Sequence, residues 1–196
     1  IGKDFSFYTT FRENQSKHVA YQHFFIDTNR VVPGQGRTRN FKESSFDYAN
    51  ATGYISYTPS KFVNFQLGHD RHFFGDGYRS LLYSDNTYFY PFFKITTSVW
   101  KIKYVNLWTQ YQTVKPRPDF TIGFERKYGS FHYLSFDVNE WFQFGLFEGV
   151  VWRDQDSTGA KRGFDFNYLN PIIFYRPIEF GSVSYTHLRA HETSEN

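Results

Sequence analysis

The stretch from Asp70 to Asn86, D-R-H-F-F-G-D-G-Y-R-S-L-L-Y-S-D-N, holds the densest group of side chains that could do chemistry. Its candidate contacts are Asp70, Arg71, Asp76, Tyr78, Arg79, Asp85 and Asn86. Carboxylates and guanidinium groups can pair with one another or with a ligand, and aromatic faces can stack on sugar rings. Gly75 and Gly77 permit the tight backbone such a loop needs. A second group comprises Glu148 and Trp152, with Arg162, Asp165 and Arg176 further along the chain. Both groups admit two readings, a polysaccharide contact or a structural charge network. For the first group, salt bridges that pin a loop rank ahead, because charges taken out of water must be paired or hydrated anyway.

Catalysis has weaker support. Paired carboxylates are the signature of glycoside hydrolysis, and Asp70, Asp76, Asp85 and Glu148 are carboxylates. Sequence gives no separation between them. The chain contains no GxSxG, HExxH or phosphate-binding glycine loop. With no cysteine there is no thiol nucleophile, disulfide or cysteine zinc site. His69 and His72 are three apart in a strand-to-loop region, and His18 and His23 are isolated. The expectation is a non-enzymatic protein without metal or cofactor. A net charge of +3 makes no case for nucleic acid.

The elements that must position these groups repeat with period two. In 61–70, Val63, Phe65 and Leu67 alternate with Asn64, Gln66 and Gly68. In 105–112, Val105, Leu107, Thr109 and Tyr111 alternate with Asn106, Trp108, Gln110 and Gln112. In 50–57, Ala51, Gly53, Ile55 and Tyr57 share a face. Further strands are expected over 4–13, 19–28, 92–100, 120–126, 128–138, 141–153 and 164–168. Most are about ten residues, the length a tilted strand needs to cross a bilayer. Short breaks at Thr58-Pro59-Ser60 and Asn139-Glu140 alternate with longer polar ones at 31–45, 75–86, 115–119 and 154–163. No amphipathic helix, fixed-period repeat or second domain is expected.

Composition agrees. Aromatic residues make up 23% of the 196 positions and gather near strand ends, as in the girdles of membrane barrels. No segment approaches the roughly 20 apolar residues of a membrane helix. The expected fold is all-β: an incomplete antiparallel outer-membrane β-barrel of roughly ten strands. The competing expectation is a soluble or periplasmic β-rich protein that binds or cleaves glycans.

Three segments resemble one family. They are 65–86 followed by Tyr90-Pro91, then S-F-H-Y-L-S-F-D-V at 130–138 running on to G-L-F-E-G-V-V-W at 145–152, and R-G-F-D-F-N-Y-L-N-P-I-I-F-Y-R-P-I-E-F at 162–180. Together they resemble the Wzi-like capsule-assembly proteins, most closely the Bacteroidetes branch associated with gliding motility. The resemblance implies an outer-membrane barrel with the lipid bilayer and surface polysaccharide as partners. Its role would be capsule attachment or assembly, or surface motility.

Two expectations concern the ends. The chain begins at Ile1 and contains no Met, so the start codon is expected upstream. Residues 183–193, V-S-Y-T-H-L-R-A-H-E-T, are what a transposon-type sequencing adaptor encodes in one frame. The natural sequence is therefore expected to stop near Ser182, with 1–182 a partial barrel domain and 183–196 read-through. His187 and His191 are accordingly not read as a metal pair.

Overall fold

A computed structural model describes residues 4–75, 77–114, 124–155 and 163–172. Seven strands form an antiparallel meander: β1 (Phe5–Ser16), β5 (Ser45–Ser60), β6 (Val63–Asp70), β7 (Tyr90–Val99), β8 (Ile102–Gln112), β9 (Arg126–Asn139) and β10 (Phe142–Arg153). Each pairs with the next in that order. Between β1 and β5 the chain makes an excursion. It contains helix α1 (Ala20–Asn29), the small hairpin β2 (Val31–Val32) and β3 (Gly36–Arg37), and β4 (Arg39–Phe41), which pairs with β5. The all-β antiparallel class expected from sequence holds. No closed barrel is formed: among the described residues β1 and β10 are the two edges of the sheet.

The alternation of connections is as expected. Lys61-Phe62, Trp100-Lys101 and Glu140-Trp141 turn tightly at one end of the sheet. The excursion 17–44 and the loop 71–89 lie at the other end, where β8 also ends and β9 begins. The turn after β5 differs from the expected Thr58-Pro59-Ser60. Strand pairing continues to Ser60, with a register irregularity between Tyr57 and Ser60. That irregularity accommodates Pro59, which has no N–H to give to a ladder.

Two expected strands are replaced by helix. Of the expected strand 19–28, residues 20–28 lie in α1 and Val19 is its N-cap. The helix buries Ile26 and Asn29, three apart, a helical spacing, and Ile26 joins a small core with Val32 and Phe46. Arg30 closes the helix in the left-handed region at φ 55°, its N–H bonded to the Ile26 carbonyl. Of the expected strand 164–168, the last residues form the 3-10 helix Phe166–Leu169. The Asp165 carboxylate accepts the Asn167 N–H at 3.0 Å, a local bond that competes with strand pairing. The expected strand 120–126 falls largely outside the described residues. So do 156–162 and the whole of 173–196, including the expected read-through tail.

The register defines two faces. One row of mutually opposite residues runs Phe7, Ile55, Leu67, Phe93, Trp108, Ser130, Val150 across the seven strands. The adjacent row, on the opposite face, runs Ser6, Ser56, Gln66, Lys94, Leu107, Phe131, Gly149. In these two rows the Leu67 face is apolar and the Gln66 face polar from β1 to β7, while nearer the long loops Tyr90 and Phe92 of β7 make the Gln66 face apolar. At β8 and β9 the apolar set of the alternation moves to the Gln66 face. Exposed apolar side chains follow the Leu67 face, with Phe7 61% and Leu67 60% exposed. Phe11, Ile55, Ile102, Val138 and Phe144 continue that surface. Exposed apolar side chains gathered on one face signal a lipid or protein contact.

Candidate functional site

Loop 71–89 lies against the Gln66 face where that face turns apolar. Its Phe74 and Tyr83 pack on Tyr90, Phe92, Leu107 and Phe131, the buried heart of the sheet. Phe74 stacks on Tyr133 with ring centres 5.4 Å apart, and Tyr83 meets Phe131 edge-on at 4.7 Å. The two loop residues also bridge to each other, with the Phe74 N–H donating to the Tyr83 carbonyl at 2.9 Å. The Ser80 hydroxyl closes the loop on the Phe74 carbonyl.

A chain of hydroxyls ties this loop down. The Tyr83 hydroxyl donates to Tyr90 at 2.8 Å and lies 2.6 Å from that of Tyr111. Tyr90 in turn accepts the His72 N–H at 3.0 Å and sits 3.3 Å from His72 Nδ1. If Tyr111 donates to Tyr83, and Tyr90 to an unprotonated Nδ1, every hydroxyl proton is used. Burial pushes the Tyr83 phenol above its ordinary value, reinforced by Tyr111 and Tyr90, so it remains protonated. Burial, and then the Lys94 charge, lowers His72 to about 3.

That histidine makes the loop acid-sensitive. In the unfolded chain His72 protonates near 6.5, whereas in the fold it resists protonation until about 3. Between those values the unfolded state binds the extra proton, so stability is full above 6.5 and falls as pH drops toward 3. The slope contributed by a fully shifted group is about 1.4 kcal/mol per pH unit. The protection of loop 71–89 against hydrogen exchange, taken relative to the intrinsic exchange rate at each pH, is expected to fall between pH 6 and pH 4, and His72→Gln is expected to flatten that dependence. A loss of protection unchanged by the substitution would assign it to another group.

Among the described residues none of the loop's charged candidates forms an ion pair, the one pair there being Arg153 with Glu125 at 3.9 Å. Asp70 instead accepts the backbone N–H of Arg71 at 2.8 Å, and the Arg71 guanidinium lies 4.4 Å over the Phe89 ring. Tyr78 is 91% exposed, and Arg79, Asp85 and Asn86 are exposed too. Asp76 lies outside the described residues. The loop thus has an aromatic half that anchors it and a polar half that faces solvent.

The second candidate group does not join the first. Glu148 is opposite His132 on the Leu67 face, away from loop 71–89. Trp152 shares that face and stacks on Tyr168 with ring centres 4.5 Å apart. Segment 163–172 covers this part of the sheet. The Tyr168 carbonyl accepts Trp108 Nε1 at 2.8 Å and the Ser130 hydroxyl at 2.9 Å, while the Pro171 carbonyl accepts the Tyr104 hydroxyl at 2.6 Å. The Asp165 carboxylate serves as the cap already noted. Arg162 and Arg176 lie outside the described residues.

A cleft of about 410 Å³ opens at the long-loop end. Val31, Gly36 and Arg37 of the excursion form one wall. Thr87, Tyr88 and Phe89 of loop 71–89 form another, with the ends of β6 to β9 as the floor. None of these wall residues was among the sequence candidates, because the cleft is assembled from segments more than fifty positions apart. Aromatic loop residues beside strand ends were the one signal present. No group of three His, Asp or Glu suited to a metal occurs among the described residues. Comparison with family models, with curated proteins and with solved structures finds no match.

Proposed function

We propose that this chain belongs to an outer-membrane β-barrel of the Wzi-like type, non-enzymatic, acting in surface polysaccharide assembly or attachment, or in gliding motility. The observation that carries the reading is the two-sidedness of β1 to β7, an exposed apolar face backed by a polar one, in strands joined by tight turns at one end and long loops at the other. That is the arrangement of a barrel wall with lipid outside and water inside. Strands β5 and β9, of 16 and 14 residues, exceed what a soluble sheet ordinarily uses. The open edges at β1 and β10 need partners, since unpaired backbone is not tolerated in hydrocarbon. Loop 71–89, laid on the Gln66 face, would then sit in the lumen and narrow it.

A soluble β-rich glycan-binding protein or glycoside hydrolase is the second reading. It is favoured by β8 and β9, where both faces are covered: Leu107 and Phe131 under loop 71–89, Trp108 and Ser130 under segment 163–172. A charge placed on the Leu67 face separates the readings. In a bilayer Leu67→Arg is expected to cost about 2–4 kcal/mol and to reduce outer-membrane recovery sharply. Its opposite-face neighbour, Gln66→Arg, is expected to change little. Equal behaviour of the two variants, with both proteins recovered in the soluble periplasm, would defeat the membrane reading.

A further inference from the structure

We propose that the cleft between the excursion and loop 71–89 binds a carboxylate-bearing saccharide, a short run of uronic acid residues. The inference rests on the polysaccharide reading and adds to it the substrate's charge and the place of contact. The cleft has the size of a ligand pocket, at about 410 Å³. Among the described residues its lining includes the cations Arg37 and Lys127 and no Asp or Glu. Arg37 is held in place, its guanidinium stacked 3.5 Å over the Phe124 ring. Stacking leaves the edge of the guanidinium fork available, the edge that grips a carboxylate by two parallel hydrogen bonds.

Arg37 also borders a neighbouring recess that contains Glu13 and Asp47, but it forms no ion pair with either. The positive charge is therefore not neutralised from that side. Aromatic and amide groups complete the site. Tyr88 and Phe89 supply faces on which the apolar side of a sugar ring can lie, and Phe89 is itself backed by Arg71 at 4.4 Å. Gln110 and Gln112 each supply a donor and an acceptor, the pair that neighbouring hydroxyls require. A bare phosphate would use the cations and leave the rings and amides idle. A neutral glucan would use the rings and amides and leave two cations without a partner.

The test is calorimetric titration of the full chain, folded in detergent, with trigalacturonic acid and with maltotriose as the neutral probe. The charged trimer is expected to bind about tenfold or more tightly than the neutral one, and to weaken as salt rises. Lys127→Gln is expected to reduce that affinity about tenfold. Arg37→Lys, which keeps the charge but loses the fork, is expected to fall between it and the unaltered protein. Because Arg37 also packs on Phe124, Gln110→Ala provides a variant whose weakening does not depend on that contact. Equal binding of both trimers would overturn the charge assignment while leaving a polysaccharide role standing. Failure of the folded chain to bind either trimer would overturn this inference together with the polysaccharide reading. An affinity for the charged trimer that none of the three substitutions alters would overturn the location.

Discussion

Replacing Tyr83 with alanine is expected to release loop 71–89 from the sheet while β5 to β10 remain paired. The ring packs on Phe131 and Phe74, and its hydroxyl links Tyr90 to Tyr111. Removing a buried aromatic ring costs about 3–5 kcal/mol. Tyr83 is only partly buried, which favours the lower end. The Tyr90 and Tyr111 hydroxyls then lose a partner, at about 1–3 kcal/mol for each group left unsatisfied. These effects share one site and do not add fully. Tyr83→Phe isolates the hydroxyl and is expected to cost about 1–3 kcal/mol. Limited trypsin digestion reads the outcome, because the exposed Arg79 lies within the turn anchored by Phe74 and Tyr83. Cleavage at Arg79 is expected to be fastest in the alanine variant, intermediate in the phenylalanine variant and slowest in the unaltered chain. Equal rates in all three would mean that other contacts hold the loop.

Gly68→Ala is expected to disrupt the pairing of β5 with β6. Gly68 stands opposite Tyr54. An added β-carbon would meet the Gly53 carbonyl oxygen and lie 2.6 Å from Tyr54 Cβ and 2.7 Å from Tyr54 Cα. Apolar carbons prefer about 3.5–4.0 Å, and three contacts involving the neighbouring strand cannot be relieved by rotating a side chain. The strands must separate or slip, and a one-residue slip would carry Leu67 to the polar face. A cost of about 3 kcal/mol is expected, at the upper end for overpacking. Gly145→Ala is the matched control, since its β-carbon would meet only the Tyr133 ring at 3.4 Å. Urea unfolding should show a large drop in midpoint for the first variant and a small one for the second. Similar midpoints would mean that the close approach at Gly68 relaxes at little cost.

Alternation made the strands legible. Leu67 and Gln66 were separated onto two faces by spacing alone, as were Leu107 and Trp108. What spacing could not give was which face of one strand continues into which face of the next, because that depends on register. Leu67 and Leu107 each head an apolar set, yet the register puts them on opposite faces. Helix α1 was missed because Phe24, Phe25 and Ile26 are good strand formers. The tertiary contact of Ile26 with Val32 and Phe46 outweighs that preference. At the site, the eye goes to charge, so Asp70, Arg71, Arg79 and Asp85 stood out. The residues that hold the loop are Phe74, Tyr83 and His72, whose partners Tyr90 and Tyr111 arrive from β7 and β8 only in the fold. The cleft walls were illegible for the same reason.

The membrane reading depends on which medium each face of β6 and β7 meets. The chain has no cysteine, so single cysteines can carry an environment-sensitive fluorophore without background labelling. Leu67→Cys and Phe93→Cys probe one face, while Gln66→Cys and Lys94→Cys probe the other. In lipid vesicles the account predicts a strict alternation: blue-shifted emission, quenched by brominated lipid, at 67 and 93, and water-like emission unaffected by brominated lipid at 66 and 94. Water-like emission at all four positions in folded, vesicle-treated protein would contradict it.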